Sequence, residues 1–151
     1  MARITEVKKH PNAEKLFIEK LDFGDEYRQI ISGLVSHYTA DELVGKKIVV
    51  VTNLEPAILR GIESQGMLLA SEENGVVGLL TTQGEPGDYV FIDSLGEAKL
   101  DHIKNLRTIN IKEFSTIKIV VKGKKVLHNG QELCTLQGPL GVEKVSDGPV
   151  R

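Results

Sequence analysis

Ser64 stands between Gly61 and Gly66 in NLEPAILRGIESQGMLLASE, residues 53–72. A serine nucleophile held on a strained strand-to-helix turn needs G-x-S-x-G, with small residues two places before and two after it. Gly66 meets the second requirement, but Ile62 fills the first position and Gly61 lies one place too early. The four histidines, His10, His37, His102 and His128, are widely separated and supply no triad context. Together with the single cysteine, Cys134, they show no metal-ligand spacing. FGDEYRQIISG lacks the glycines of a phosphate-cradling loop. Asp and Glu are abundant, yet no motif singles out a pair for acid–base work. The expectation is a chain with no catalytic residues, no metal and no cofactor, and therefore not itself an enzyme.

A different chemistry is offered by VKKHPNAEKL, residues 7–16. Pro11 holds His10 extended, and Asn12 favours a turn. Lys8, Lys9 and Lys15 cluster around that turn, with His10 as an extra donor. Such a corner presents three cations to a phosphate backbone; a loop tip that is merely basic is the alternative. The net charge of −2 argues against a generic polyanion binder. Its distribution is uneven: residues 1–60 carry 9 basic and 9 acidic side chains, residues 61–98 carry 0 and 7, and residues 99–151 carry 10 and 5. Nucleic-acid contact must then use local basic clusters, with the acid-rich middle facing away.

The elements that would position these residues are short. KLFIEKLDF (15–23) and YRQIISG (27–33) read as a hairpin around Gly24-Asp25, and KKIVVVTN (46–53) as a strand buried on both faces. GMLLAS (66–71), VVGLL (76–80) and YVFID (89–93) are further strands, the last preceded by the turn EPGD. TADELVG (39–45) carries a capping box from Thr39 to Glu42 and a Gly45 stop, which predicts one short helix anchored by Leu43. The order fits a five-stranded OB (oligonucleotide/oligosaccharide-binding) Greek-key barrel, with another small barrel or sandwich as the alternative. Leu100, Ile103 and Leu106 recur at helical spacing and predict an amphipathic helix. Two or three strands follow, with Asn129-Gly130 as a hairpin turn. The expected fold class is all-β with minor α: a barrel at 1–95 and a helix-and-strands appendix at 96–151 packed on it. No run of 18 apolar residues suggests a membrane span, and charges recurring through MARITEVKKHPNAEK leave no signal-peptide pattern. A lone cysteine fits a reducing compartment, so a cytoplasmic location is expected.

Taken together, KKHPNAEKL, ISGL, NLEPAILRGIESQGMLLA and EPGDYV resemble, in order, the tRNA-binding domain family. That family includes free-standing structure-specific tRNA-binding proteins and C-terminal domains of methionyl-tRNA synthetases, and the resemblance covers residues 3 to about 93. VKGKKVLHNGQELC and the closing SDGPVR are more loosely similar to the C-terminal module of the endothelial monocyte-activating polypeptide II family. The resemblance implies an OB-fold domain that holds tRNA by shape near its outer corner, in support of aminoacylation. It implies tRNA as partner, with a synthetase catalytic core or a multisynthetase complex beside it. A cytokine-like or protein-interaction module released from a synthetase is the alternative. The family's signature falls on His10, Pro11, Asn12, Asn53, Leu54, Pro56, Arg60, Gly61, Ser64, Gly66 and Met67. Lys8, Lys9, Lys15 and Arg60 are expected to neutralise phosphates, and Asn53, Ser64 and Gln65 to hydrogen-bond backbone or bases. Met67 is read equally as a groove contact and as core. Pro56, Gly61 and Gly66 are read as bends that admit the RNA backbone. With no Trp and seven Phe/Tyr, backbone and shape contacts should outweigh stacking.

The family's L-D-x-R-V-G-type start is replaced here by MARITEV, which points to an altered first strand and to a piece of a larger synthetase. Bacterial-type members dimerise through the barrel's end, and the longer module imitates that contact. A monomer is therefore expected, with the Leu100–Ile103–Leu106 stripe against the barrel.

Overall fold

The computed structural model describes residues 1–93 and 106–151. The barrel half begins with β1 (Ala2–Lys9), β2 (Phe17–Asp22) and β3 (Tyr27–Ser32), an antiparallel meander. The altered start still builds a first strand: Ala2 and Ile4 are fully buried, and a bulge between Ile4 and Glu6 bends the strand. After α1 (Ala40–Leu43) come β4 (Lys47–Ile48), β5 (Val50–Val51), β6 (Ala57–Leu59), β7 (Ile62–Ser64), β8 (Met67–Leu68), β9 (Ala70–Glu73) and β10 (Val76–Thr81). The expected capping box is present: the Thr39 hydroxyl accepts from the Glu42 amide, and the Glu42 carboxylate accepts from the Thr39 amide, both at 3.2 Å. Leu43 drops into the core as expected.

Gly45 hands the chain back to the first strand, its amide donating to Ile4 O at 2.7 Å. The main sheet then runs β10, β4, β1, β2, β3. At the far edge, the Gln65 amide donates to Gln29 O at 2.8 Å. Arg28 donates to Thr52 O and Gln65 O at 2.8 and 3.0 Å, drawing that edge toward the later strands. The first core, built on Ile4, Phe17, Leu21, Ile30, Leu43, Ile48 and Leu79, fills the curled interior.

β11 (Phe91–Ile92) closes the first half, and the second adds α2 (Ile111–Ser115), β12 (Ile119–Lys122), β13 (Lys125–His128), β14 (Gln131–Thr135), β15 (Gly138–Pro139), β16 (Gly141–Val142) and β17 (Asp147–Pro149). The Asn129-Gly130 hairpin forms as expected, both residues at positive φ (51° and 76°). The sheets exchange strands across the 95/96 boundary. β11, from the first half, pairs with β14, whereas β16, from the second, pairs with β10 of the barrel. A second core joins them, with Val49, Leu69 and Leu80 packed on Val121, Val126, Leu133 and Leu140.

Charge follows the same seam. Arg151 pairs with Glu72, and Glu73 accepts from the Ser146 amide at 2.8 Å. Part of the acid-rich middle is thus occupied by the basic appendix. The helix expected around Leu100 and Ile103 lies outside the described residues. Leu106, expected on its buried stripe, is instead 58% exposed. The chain there is held by backbone bonds from Ile109 N to Asn53 O (2.8 Å) and from Glu55 N to Ile109 O (2.9 Å), which need no apolar seat for Leu106.

Candidate nucleic-acid interface

An OB barrel binds oligonucleotides across its second and third strands, between the loop joining strands one and two and the loop joining strands four and five. Here those loops are residues 10–16, after β1, and residues 52–66, which contain the β6–β7 hairpin. Lys8, Lys9, Asn12 and Lys15 are all exposed on or beside the first loop, and Arg60 is exposed at the tip of the second.

His10 joins the two loops. The sequence casts it as an extra donor toward phosphate, but the ring is 4% exposed and both nitrogens are engaged within the protein. The Asn12 amide donates to Nδ1 at 3.0 Å. A backbone N–H can only donate, so Nδ1 is the acceptor and the ring proton lies on Nε2. Nε2 then donates to the Leu59 carbonyl at 3.0 Å, next to Arg60. The loop is closed independently by His10 N to Leu16 O (2.9 Å). His10 is therefore a latch that sets the lysine corner beside the arginine hairpin.

The hairpin explains the PAILRGIES stretch. Ile58 pairs with Glu63 and Leu59 with Ile62, leaving Arg60-Gly61 as a two-residue turn. Both residues have positive φ, 52° and 87°, the type I′ pattern that favours Asn-Gly. Of the three other such turns among the described residues, Asn74-Gly75 and Asn129-Gly130 carry Asn, and Gly123-Lys124 places a second cation at positive φ. Arginine in the left-handed region costs roughly 1 kcal/mol, and backbone strain of this kind collects at functional positions. The turn thus spends stability to raise a cation on an exposed tip.

The other residues expected at the site divide differently. The Ser64 hydroxyl accepts from Ile31 N (2.9 Å) and donates to Gly66 O (3.0 Å), and the residue is 5% exposed. Gln65 accepts from Gln29 N through its side-chain oxygen at 2.9 Å. Both act as rivets between β3 and the second loop. Asn53 donates from Nδ2 to Arg107 O at 3.0 Å, tying that loop to the appendix. Met67 is half-buried and packs on the second core. Gly66 does admit a close backbone approach, but the neighbour is Val51 O, 3.0 Å from where a Cβ would stand.

Register shows a surface that residue types alone did not. Ile30 and Ser32 point inward and are buried, so Tyr27 and Gln29 of β3 face outward, opposite Asp22 and Lys20 of β2. Lys8, Ile18 and Ile31 lie abreast across the three strands. Ile18 and Ile31 are buried in that row, so the open part of the face begins beyond them, at Lys20 and Asp22 of β2 with Gln29 and Tyr27 of β3.

Comparison with known proteins agrees with this geometry. The family model described as "Putative tRNA binding domain" matches residues 1–88. The methionine–tRNA ligase of Thermococcus kodakarensis is 48% identical over 85 residues, which are 56% of this chain and 12% of the ligase. The chain thus spans only a small part of the length of such relatives. Among solved structures, the C-terminal domain of Plasmodium vivax p43 superposes with a TM-score of 0.89 at 24% identity, covering 99% of this chain and 93% of that one. It shares the fold through both halves. The CsaA chaperone of Picrophilus torridus, 34% identical with a TM-score of 0.54, covers 58% of this chain and 84% of its own.

Proposed function

This chain belongs to the tRNA-binding domain family, and from that footing we propose that it binds tRNA non-catalytically, by shape and backbone, as an appended domain of a cytoplasmic aminoacyl-tRNA synthetase of the methionyl type. The observation that carries this reading is the His10–Leu59 bond, which places the Lys8, Lys9 and Lys15 corner beside the Arg60 tip. Exposed cations around a rigid corner suit phosphate contacts, which position without reading sequence. Tethered to a catalytic core, such a module raises the local tRNA concentration and lowers the apparent KM without adding chemistry.

Filter binding of total tRNA at two salt concentrations tests it. Affinity should fall steeply with salt, and replacing Lys8, Lys9 and Arg60 together by alanine should weaken binding of all tRNAs about tenfold and flatten the salt dependence. Salt-independent binding, or a triple variant with unchanged affinity, would sink the reading. Arg60→Asn alone separates function from folding. Asparagine suits the turn, so the hairpin should gain roughly 0.5–1 kcal/mol while tRNA binding loses about one unit of salt slope. Thermal unfolding beside the titration reads both; equal losses of stability and binding would show that Arg60 serves only the turn.

We propose a monomer as well, because β16 occupies the outer edge of β10 and the second core is already filled from within the chain. Light scattering at micromolar concentration should give one chain mass, and a stable dimer would contradict it.

Ile58, 65% exposed beside Arg60, together with the CsaA likeness, supports a second reading as a binder of protein segments. That binding would be insensitive to salt and to Lys8 and Lys9.

A further inference from the structure

We propose that Tyr27 is a stacking platform for an unpaired base of the bound RNA, a subsite that deepens and rests on the tRNA-binding reading. Tyr27 is 74% exposed, the most exposed of the large hydrophobic side chains among the described residues. It faces outward from β3 at the register position opposite Asp22, and the next outward pair along the same strands is Lys20 with Gln29. The Lys8–Ile18–Ile31 row lies four residues from Tyr27, about 13 Å along the strand. One RNA segment crossing this face therefore meets Lys8, then Lys20, then Tyr27.

The charges around Tyr27 decide which part of a nucleotide it takes. Asp22 accepts from the Gly24 amide at 2.7 Å, Glu26 pairs with Arg28 at 3.3 Å, and Asp25 is exposed in the same turn. Arg3 stands abreast of Asp22 on β1 and Arg28 offsets Glu26, so a phosphate beside this turn falls to Arg3, and the ring, edged by carboxylates, seats the base. Its exocyclic amine meets carboxylate acceptors, as cytosine N4 does with Asp or Glu. The phosphates on the neighbouring nucleotides fall to Lys20 and Lys8; the Lys20–Glu6 pair, 3.4 Å apart and solvent-exposed, is too weak to withhold Lys20. Adenine and cytosine should thus be held better than uracil.

The chain has no Trp and three Tyr, of which Tyr38 is buried. In a Tyr89→Phe background, intrinsic fluorescence therefore reports on Tyr27 against a constant signal from Tyr38. Four RNAs are titrated: total tRNA, an oligoadenylate, an oligouridylate and a fully paired duplex of the same length. Oligoadenylate should quench the fluorescence, and oligouridylate should bind less tightly. Tyr27→Ala should weaken oligoadenylate binding about five- to 150-fold and leave duplex binding unchanged, whereas Tyr27→Phe should keep affinity within about twofold. A side chain this exposed is removable without loss of fold, checked by an unchanged thermal midpoint. If Tyr27→Ala binds oligoadenylate as tightly as its parent, or loses both RNAs equally, the platform is refuted while tRNA binding stands. If the parent binds tRNA but not oligoadenylate, the platform is likewise refuted. If it binds no RNA at low salt, the tRNA-binding reading falls as well.

Discussion

Glu19→Gln is expected to make the folded chain more stable at pH 8 and no more stable, or slightly less, at pH 5. Glu19 is fully buried in the barrel on β2. The Ser32 hydroxyl donates to its Oε1, and its Oε2 has no partner. Burial, only partly offset by the Ser32 bond, pushes the carboxyl up to about 8 from an ordinary 4.5. The folded pKa thus lies above the unfolded one, so between pH 4.5 and 8 the native state holds a proton that the unfolded chain releases. Stability is fullest below the unfolded value and falls as pH rises through this window, by about 1.4 kcal/mol per pH unit and on the order of 5 kcal/mol in all. Glutamine keeps an oxygen for Ser32 and removes the titration. It leaves a buried amide N–H₂ without a partner, at a cost of roughly 1–3 kcal/mol. The two curves should therefore cross, with the variant ahead by about 1–3 kcal/mol at pH 8. Urea unfolding at pH 5, 6.5 and 8 measures this directly. If the variant keeps the parent's decline with pH, Glu19 is not its source. Function is engaged too, because Glu19 and Ser32 join β2 to β3 directly beneath the face assigned to RNA.

What could be read from residue order, and what could not, follows from the range of each interaction. Thr39 and Glu42 satisfy each other three residues apart, and Asn129-Gly130 fixes a turn on its own, so both were legible. The β2–β3 hairpin was legible for the same reason. His10 was not, because its meaning depends on Leu59, 49 positions away. Ser64 reads as an available hydroxyl until Ile31, 33 positions earlier, is seen to donate to it. Tyr27 is one aromatic in an aromatic-poor chain until register places it outside the barrel. The lysine corner needed no partner and was visible from composition and spacing alone. The division at residue 95 suited the texture of the sequence, but β11 and β16 are two-residue strands, too short to announce whose sheet they join.

Gly78→Ala is expected to detach the tail from the barrel. A Cβ on Gly78 would stand 1.7 Å from Glu143 O and 2.7 Å from its carbon. Both are backbone atoms, so no rotamer relieves the clash and the two strands must part. The pairing of Leu80 with Val142 and of Thr81 with Gly141 lies at this crossing. Glu143 also accepts from the Tyr38 hydroxyl at 2.8 Å and from Lys46 Nζ at 2.6 Å in a half-buried cluster. The Tyr38 oxygen in turn takes the Leu79 amide at 3.0 Å. Breaking such a network ranks with the larger single-residue effects, so a cost of about 3–5 kcal/mol is expected. Limited proteolysis should then cut within 141–151, and a thermal midpoint within a few degrees of the parent would show that the tail is not fastened here. The consequence reaches oligomeric state. With β16 gone, β10 presents an unpaired edge, and Leu80 and Leu69 lose the cover of Leu140 and Val142. An open strand edge above uncovered apolar side chains is a template for pairing with another chain. The variant should therefore associate more readily than the parent, because a second chain can then supply the strand and the apolar cover that the tail no longer provides.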